Sequence, residues 1–190
     1  MKNILISGIG GPTPRSVARR VREVLPDCNI IGIDANKKAL GFYMKGLVDK
    51  HYIVPRASDN SYWDTINKII SDNKIDLAFI QPEFEVIKWG ELYKEKGEFP
   101  CPVLLPPLEL AQMLMNKALM SDVLEGTEYI PKTVKISPQE PKYDEIDAKV
   151  GYPCWIRATV GSGGLGSLKL NSKKDLEAWL LIHKDIIDFT

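Results

Sequence analysis

The sequence predicts an α/β fold, with a doubly wound, mostly parallel sheet over residues 1–110 and a small α+β subdomain over residues 111–190. Three observations carry this expectation. Short apolar runs alternate with stretches of helical periodicity up to about residue 106, as expected of parallel strands joined by crossover helices. A glycine-rich turn, Gly8-Ile9-Gly10-Gly11, separates the first run from the first helix, where such sheets place a ligand-binding turn. Beyond residues 107–116 the rhythm changes, and the last two strands flank a second glycine-rich loop as a hairpin.

Asn3 to Ser7 is an apolar run suited to a strand covered on both faces. Thr13 is the expected cap of the next helix and Pro14 its first residue, with Val17, Ala18, Val21, Val24 and Leu25 on one face and Pro26 as the stop. Asn29 to Asp34 and His51 to Val54 read as the second and third strands. Tyr62, Ile66, Ile69 and Ile70 mark a helix, and Asp76 to Ile80 the fourth strand. A helix over Glu83 to Lys96 follows through Phe84, Ile87, Trp89 and Leu92, then a fifth strand, Pro102 to Leu105, closed by Pro106-Pro107. In the second part, Leu108 to Leu124 reads as helical and Lys132 to Ile136 as a strand, with a capping box at Ser137-Pro138-Gln139-Glu140. Pro153 to Ala158 and Ser167 to Leu170 are the hairpin strands, and a helix capped by Ser172, with Asp175 three residues on, follows them.

Of the 190 residues, 44% are hydrophobic and 26% charged, which excludes disordered, collagen-like and membrane-spanning classes. Twenty-five basic residues balance 25 acidic ones, so no basic footprint argues for nucleic acid or an acidic membrane surface. The amino terminus enters a strand without a secretory h-region, so a cytoplasmic protein is expected. Cys28, Cys101 and Cys154 are odd in number and lie far apart. They suggest small buried hydrophobes rather than disulfides or a metal site. His51 and His183 lack partner motifs and receive no role, while Trp155 and Trp179 read as core.

Two glycine-rich stretches are candidates for chemistry. Gly8 to Gly11, with Asp34 ending the second strand, stands where a dinucleotide fingerprint and its ribose-binding acid would stand. The third glycine is missing, and Pro12 and Pro14 remove backbone donors. NAD binding and a plain tight turn both remain open there. The second stretch, Gly161-Ser162-Gly163-Gly164-Leu165-Gly166, lies between the hairpin strands with Arg157 at its base. So many glycines let backbone N–H groups approach phosphate oxygens, and Arg157 adds fixed positive charge.

The run Gly151 to Ala158 followed by Gly161 to Gly166 resembles the phosphate-covering loop of the ATP-grasp superfamily, and the arginine form resembles the carbamoyl-phosphate synthase large subunit. Asn116-Lys117-Ala118-Leu119-Met120, then Ile130-Pro131-Lys132-Thr133, is similar to the first basic position of that superfamily. The resemblance implies a Rossmann-like pre-ATP-grasp domain, and a ligase that phosphorylates a carboxylate with ATP and passes the acyl phosphate to an amine or ammonia. Lys117, Arg157, Gly161, Ser162, Gly163, Gly164 and Gly166 would then contact ATP phosphates. The superfamily's magnesium-binding carboxylates lie downstream of the loop, so Mg2+ is expected only with a further carboxyl-terminal part. The chain is expected to be inactive alone, as a fragment of a longer enzyme or with a partner chain; a homodimer also stands open. No catalytic residue is assigned.

Gln81-Pro82-Glu83-Phe84-Glu85 follows the fourth strand at its ligand-binding end. Glu83 and Glu85 are candidates for the small-molecule substrate, with first-turn helix acids as the alternative reading.

Overall fold

The computed structural model describes residues 1–161, 164 and 166–183. They form two units, Met1–Ala111 and Gln112 onward.

In the first unit, β1 (Asn3–Ser7) is central, pairing in parallel with β2 (Asn29–Asp34) and β4 (Leu77–Phe79), while β3 (Lys50–Ile53) extends the sheet beyond β2. The strand order is therefore β3-β2-β1-β4. Alternate side chains of β1 feed two cores, as the two-residue period of a strand requires. Leu5 joins Ile31, Ile33, Tyr62, Ile66 and Trp89 in one, while Ile4 and Ile6 join Ile9, Ala18, Ile30 and Leu47 in the other. The helices are α1 (Pro12–Val24), α2 (Leu40–Tyr43), α3 (Tyr62–Asn73) and α4 (Glu83–Lys96).

Three sequence expectations change here. Thr13 does not cap α1: Gly11 holds the cap position and Pro12 is already helical, so proline's fixed φ starts the helix without a side-chain bond. The expected fifth strand is reduced to one parallel bridge, Ala78 to Val103, with Ala78 N–H donating to Pro102 O at 2.8 Å. Prolines at 102, 106 and 107 lack the N–H groups that a longer ladder needs. The fourth strand is also shorter than the Asp76–Ile80 run.

Gly41 in α2 faces the Ile9 backbone so closely that an added Cβ would collide with Ile9 O and with the Ile9 side chain. Gly41→Ala is expected to destabilise the first unit by about 2 kcal/mol, since neither backbone can yield cheaply. Urea unfolding checks this, with the exposed Lys37→Ala as a surface comparison.

The second unit begins within α5 (Leu108–Met115) and continues through α6 (Lys117–Val123), α7 (Tyr143–Lys149), the antiparallel pair β5 (Cys154–Ile156) and β6 (Leu168–Leu170), and α8 (Lys173–His183). The helical stretch expected over 108–124 consists of two helices divided at Asn116, whose Oδ1 accepts from the N–H groups of Ala118 and Leu119, both at 3.1 Å, and starts α6 afresh. Lys132–Ile136 forms no strand, having no ladder partner among the described residues. Ser137 to Glu140 is a turn closed by reciprocal backbone bonds, not a helix start. Ile146, Ile156, Leu170, Leu176, Trp179 and Leu180 make the core. Trp155 is not part of it; paired with Lys169 across the two-stranded sheet, it is 64% exposed. Cys28 and Cys101 are buried and Cys154 half-buried, all as free thiols. Among the described residues, no helix is long and apolar enough to cross a membrane.

Candidate functional site

The amino-terminal turn is closed on itself. Ile9 N–H donates to Ile33 O at 3.2 Å, Gly10 N–H to Asp34 Oδ2 at 2.8 Å and Gly11 N–H to Gly8 O at 2.8 Å, while Pro12 has no N–H to give. The other Asp34 oxygen accepts from Asn36 N–H at 2.8 Å. Asp34 thus fastens the turn to the end of β2 instead of presenting itself to a ribose, and a pyrophosphate would find these donors already engaged. Gly8 is needed for its φ of +64° and because Pro82 packs where a Cβ would stand.

Glu83 and Glu85 both lie in the first turn of α4, as the alternative reading holds, yet their surroundings differ. Glu83 is half-buried, whereas Glu85 is only 6% exposed. Its Oε2 accepts from Tyr62 O–H at 3.1 Å, and the Ser7 hydroxyl at the end of β1 is a further polar influence that favours the charged form. Burial pushes the Glu85 pKa up to about 7, against the opposing pull of these two hydroxyls and with the Asp34 carboxylate adding to the rise. The Tyr62 phenol is raised as well, by burial first and then by the Glu85 charge.

In the second unit, a cavity of about 550 Å3 is lined by α6, the 131–136 segment, β5 and the residues after it. Lys117, Lys132, Lys135 and Arg157 are all in its wall, and no Asp or Glu is. In a chain of zero net charge this is a local cationic hollow, with Lys135 also paired to Asp122 at 2.5 Å. Ile136, Trp155, Ile156 and Leu170 supply apolar surface. Lys117 opens α6, with its N–H donating to Thr159 O at 2.9 Å and its Nζ to Gly161 O at 2.8 Å and Thr159 O at 3.4 Å. One turn on, Ser121 shares that face; its Oγ is buried in the cavity wall without a hydrogen-bond partner among the described residues. An orphaned hydroxyl in a wall shared with Lys117, Lys132 and Arg157 fits a polar, anionic ligand.

The structure therefore brings together Lys117, Arg157 and Gly161. Gly161, Gly164 and Gly166 have φ of +117°, +78° and +65°, and Ser167 N–H donates to Gly164 O at 3.0 Å, so these glycines make a turn that L-residues would strain. Ser162 and Gly163 lie outside the described residues. The sequence reading missed Ser121, Ser7 and Tyr62. Tyr62 was hidden by its own apolar periodicity, and Ser7 carried a signal only as a polar residue ending the central strand.

No family model matches the chain. A formate-dependent phosphoribosylglycinamide formyltransferase from Polaromonas naphthalenivorans (strain CJ2) is 28% identical over 117 residues, 60% of this chain and 28% of that protein. Among solved structures, N5-carboxyaminoimidazole synthetase from Staphylococcus aureus, complexed with ADP, superposes with a TM-score of 0.70 at 17% identity, covering 99% of this chain and 46% of that one. The fold is that of the ATP-grasp superfamily. Biotin carboxylase from Campylobacter jejuni, in an ATP complex, has the same fold at a TM-score of 0.58 and 20% identity, covering 94% of this chain and 40% of that one. The chain spans less than half the length of each of these proteins. The finer likeness to carbamoyl-phosphate synthase finds no support in these relatives. Among the described residues, no three His, Cys, Asp or Glu side chains are grouped so as to hold a metal ion.

Proposed function

We propose that the chain supplies the phosphate-binding lobe and part of the substrate site of an ATP-dependent ligase that joins a carboxylate to an amine or ammonia through an acyl phosphate. The observation that carries this reading is the cationic cavity beside the glycine turn, with Lys117, Arg157 and the orphaned Ser121 hydroxyl in its wall. In this reading a carboxylate oxygen attacks the γ-phosphorus of ATP, releasing ADP. The amine then attacks the acyl carbon and inorganic phosphate leaves. Charge builds on phosphoryl oxygens, so the protein's part is to place cations and N–H donors around them. Lys117 and Arg157 provide the cations, and Gly161, Ser162, Gly163, Gly164 and Gly166 the close backbone. In the first unit, Glu85, with Glu83 nearby in sequence, is read as a contact for the amine substrate.

The neighbouring folds named above include ligases and carboxylases of small molecules, which supports this class of reaction without selecting a substrate pair. Bicarbonate with ammonia, the carbamoyl-phosphate case, is one pair within the class. The NAD reading loses support because the Gly8–Gly11 donors and Asp34 are engaged within the turn. The native protein, given ATP, magnesium and a panel of bicarbonate, formate and α-amino acids, is expected to release ADP only with one carboxylate class. Tight NADH binding with no carboxylate-dependent ADP release would contradict the proposal.

A further inference from the structure

The hydrogen bonds around Glu85 have a forced direction. Trp89 Nε1–H, which can only donate, gives its proton to the Tyr62 hydroxyl oxygen at 2.9 Å. Gln81 N–H, equally a donor, binds the Ser7 hydroxyl oxygen at 3.1 Å. The Tyr62 hydroxyl thus has one side of its oxygen loaded by an N–H, and its own proton turns to its other polar neighbour, the Glu85 carboxyl. Trp89, Tyr62 and Ser7 are all fully buried, so no solvent competes for these protons.

We propose that Tyr62 is a positioning residue, which fixes Glu85 as an acceptor for the amine substrate, with Trp89 setting the direction of the bond. The proposal rests on the reading of Glu85 as a substrate contact. Neither hydroxyl was singled out by the glycine loops or by the acidic pair, and each comes from a separate element: Ser7 from β1, Tyr62 from α3 and Trp89 from α4 itself. The charged group facing this cluster from β2 is Asp34, whose own oxygens are held by Gly10 and Asn36. Tyr62 as donor and Ser7 as a further polar influence stabilise a carboxylate that burial alone would keep protonated. They leave Glu85 balanced between its two forms near neutral pH, where it can accept a hydrogen bond or a proton from an ammonium group.

The test is a pH titration of the 13C-labelled Glu85 carboxyl by NMR, with the resonance assigned by its loss in Glu85→Gln. The midpoint is expected near 7 in the wild type and about one pH unit higher in Tyr62→Phe, which removes the donor with little change of volume. Trp89→Phe should also raise it, because the freed Tyr62 oxygen can then accept from a protonated Glu85. A role in packing alone, with no hydrogen bond to the carboxyl, would alter stability without moving the midpoint. An unchanged midpoint in folded Tyr62→Phe would overturn the proposal. Methylammonium, added as a probe amine, separates this from the underlying reading: a midpoint that depends on the Tyr62 hydroxyl with no response to methylammonium supports the positioning and counts against the substrate role.

Discussion

Lys117→Met is expected to lower the affinity for ATP by about tenfold to a hundredfold, the loss of one or two charge-assisted hydrogen bonds at about 1.5–3 kcal/mol. Methionine keeps the apolar stem, and the bond from the residue 117 N–H to Thr159 O does not involve the side chain, so α6 stays anchored. What disappears is the ammonium that now bridges Gly161 O and Thr159 O at the base of the glycine turn. Arg157→Met, which also removes a cation from the cavity wall, should act in the same direction. Calorimetric titration with ATP checks both. An affinity within twofold of wild type in each variant would mean that phosphates do not bind there.

Glu85→Gln is expected to flatten the pH dependence of the first unit's stability. A carboxyl whose pKa rises from 4.5 to about 7 on folding binds its proton more tightly in the native than in the unfolded state. Its stabilising contribution is complete below about pH 4.5 and is lost as pH climbs through about 7. The wild type should therefore lose on the order of 2–3 kcal/mol between pH 5 and pH 8, which glutamine cannot lose because it does not ionise. Urea unfolding followed at the β1 amides measures it. Equal slopes in the two proteins would assign the titration to another group. A strongly buried ionisable side chain kept at such a cost is a mark of a functional position.

The strands and helices legible in the sequence are those whose periodicity matches burial. β1, β2 and the Tyr62–Ile70 face of α3 are apolar at the intervals their cores require, and α4 spans the residues its pattern indicates. Where proline intervened, pattern misled. Pro12 started α1 without Thr13, and prolines around Val103 reduced an apolar run to a single bridge. Trp155 looks like core by composition, but a two-stranded sheet leaves one face open. At the site, Lys117 was found through resemblance, Arg157 through its place at the base of the glycine loop, and Glu85 through its place after β4. Ser121, Ser7 and Tyr62 could not be, because their importance lies in which polar partners reach them across elements distant in sequence.

The most direct measurement is amide hydrogen exchange with and without ATP. Protection of residues 157–161 and of the first turn of α6, with the 8–11 turn unchanged, is the expected result. Protection of the 8–11 turn, with residues 117 and 157–161 unaffected, would contradict the assignment of the nucleotide to the cationic cavity.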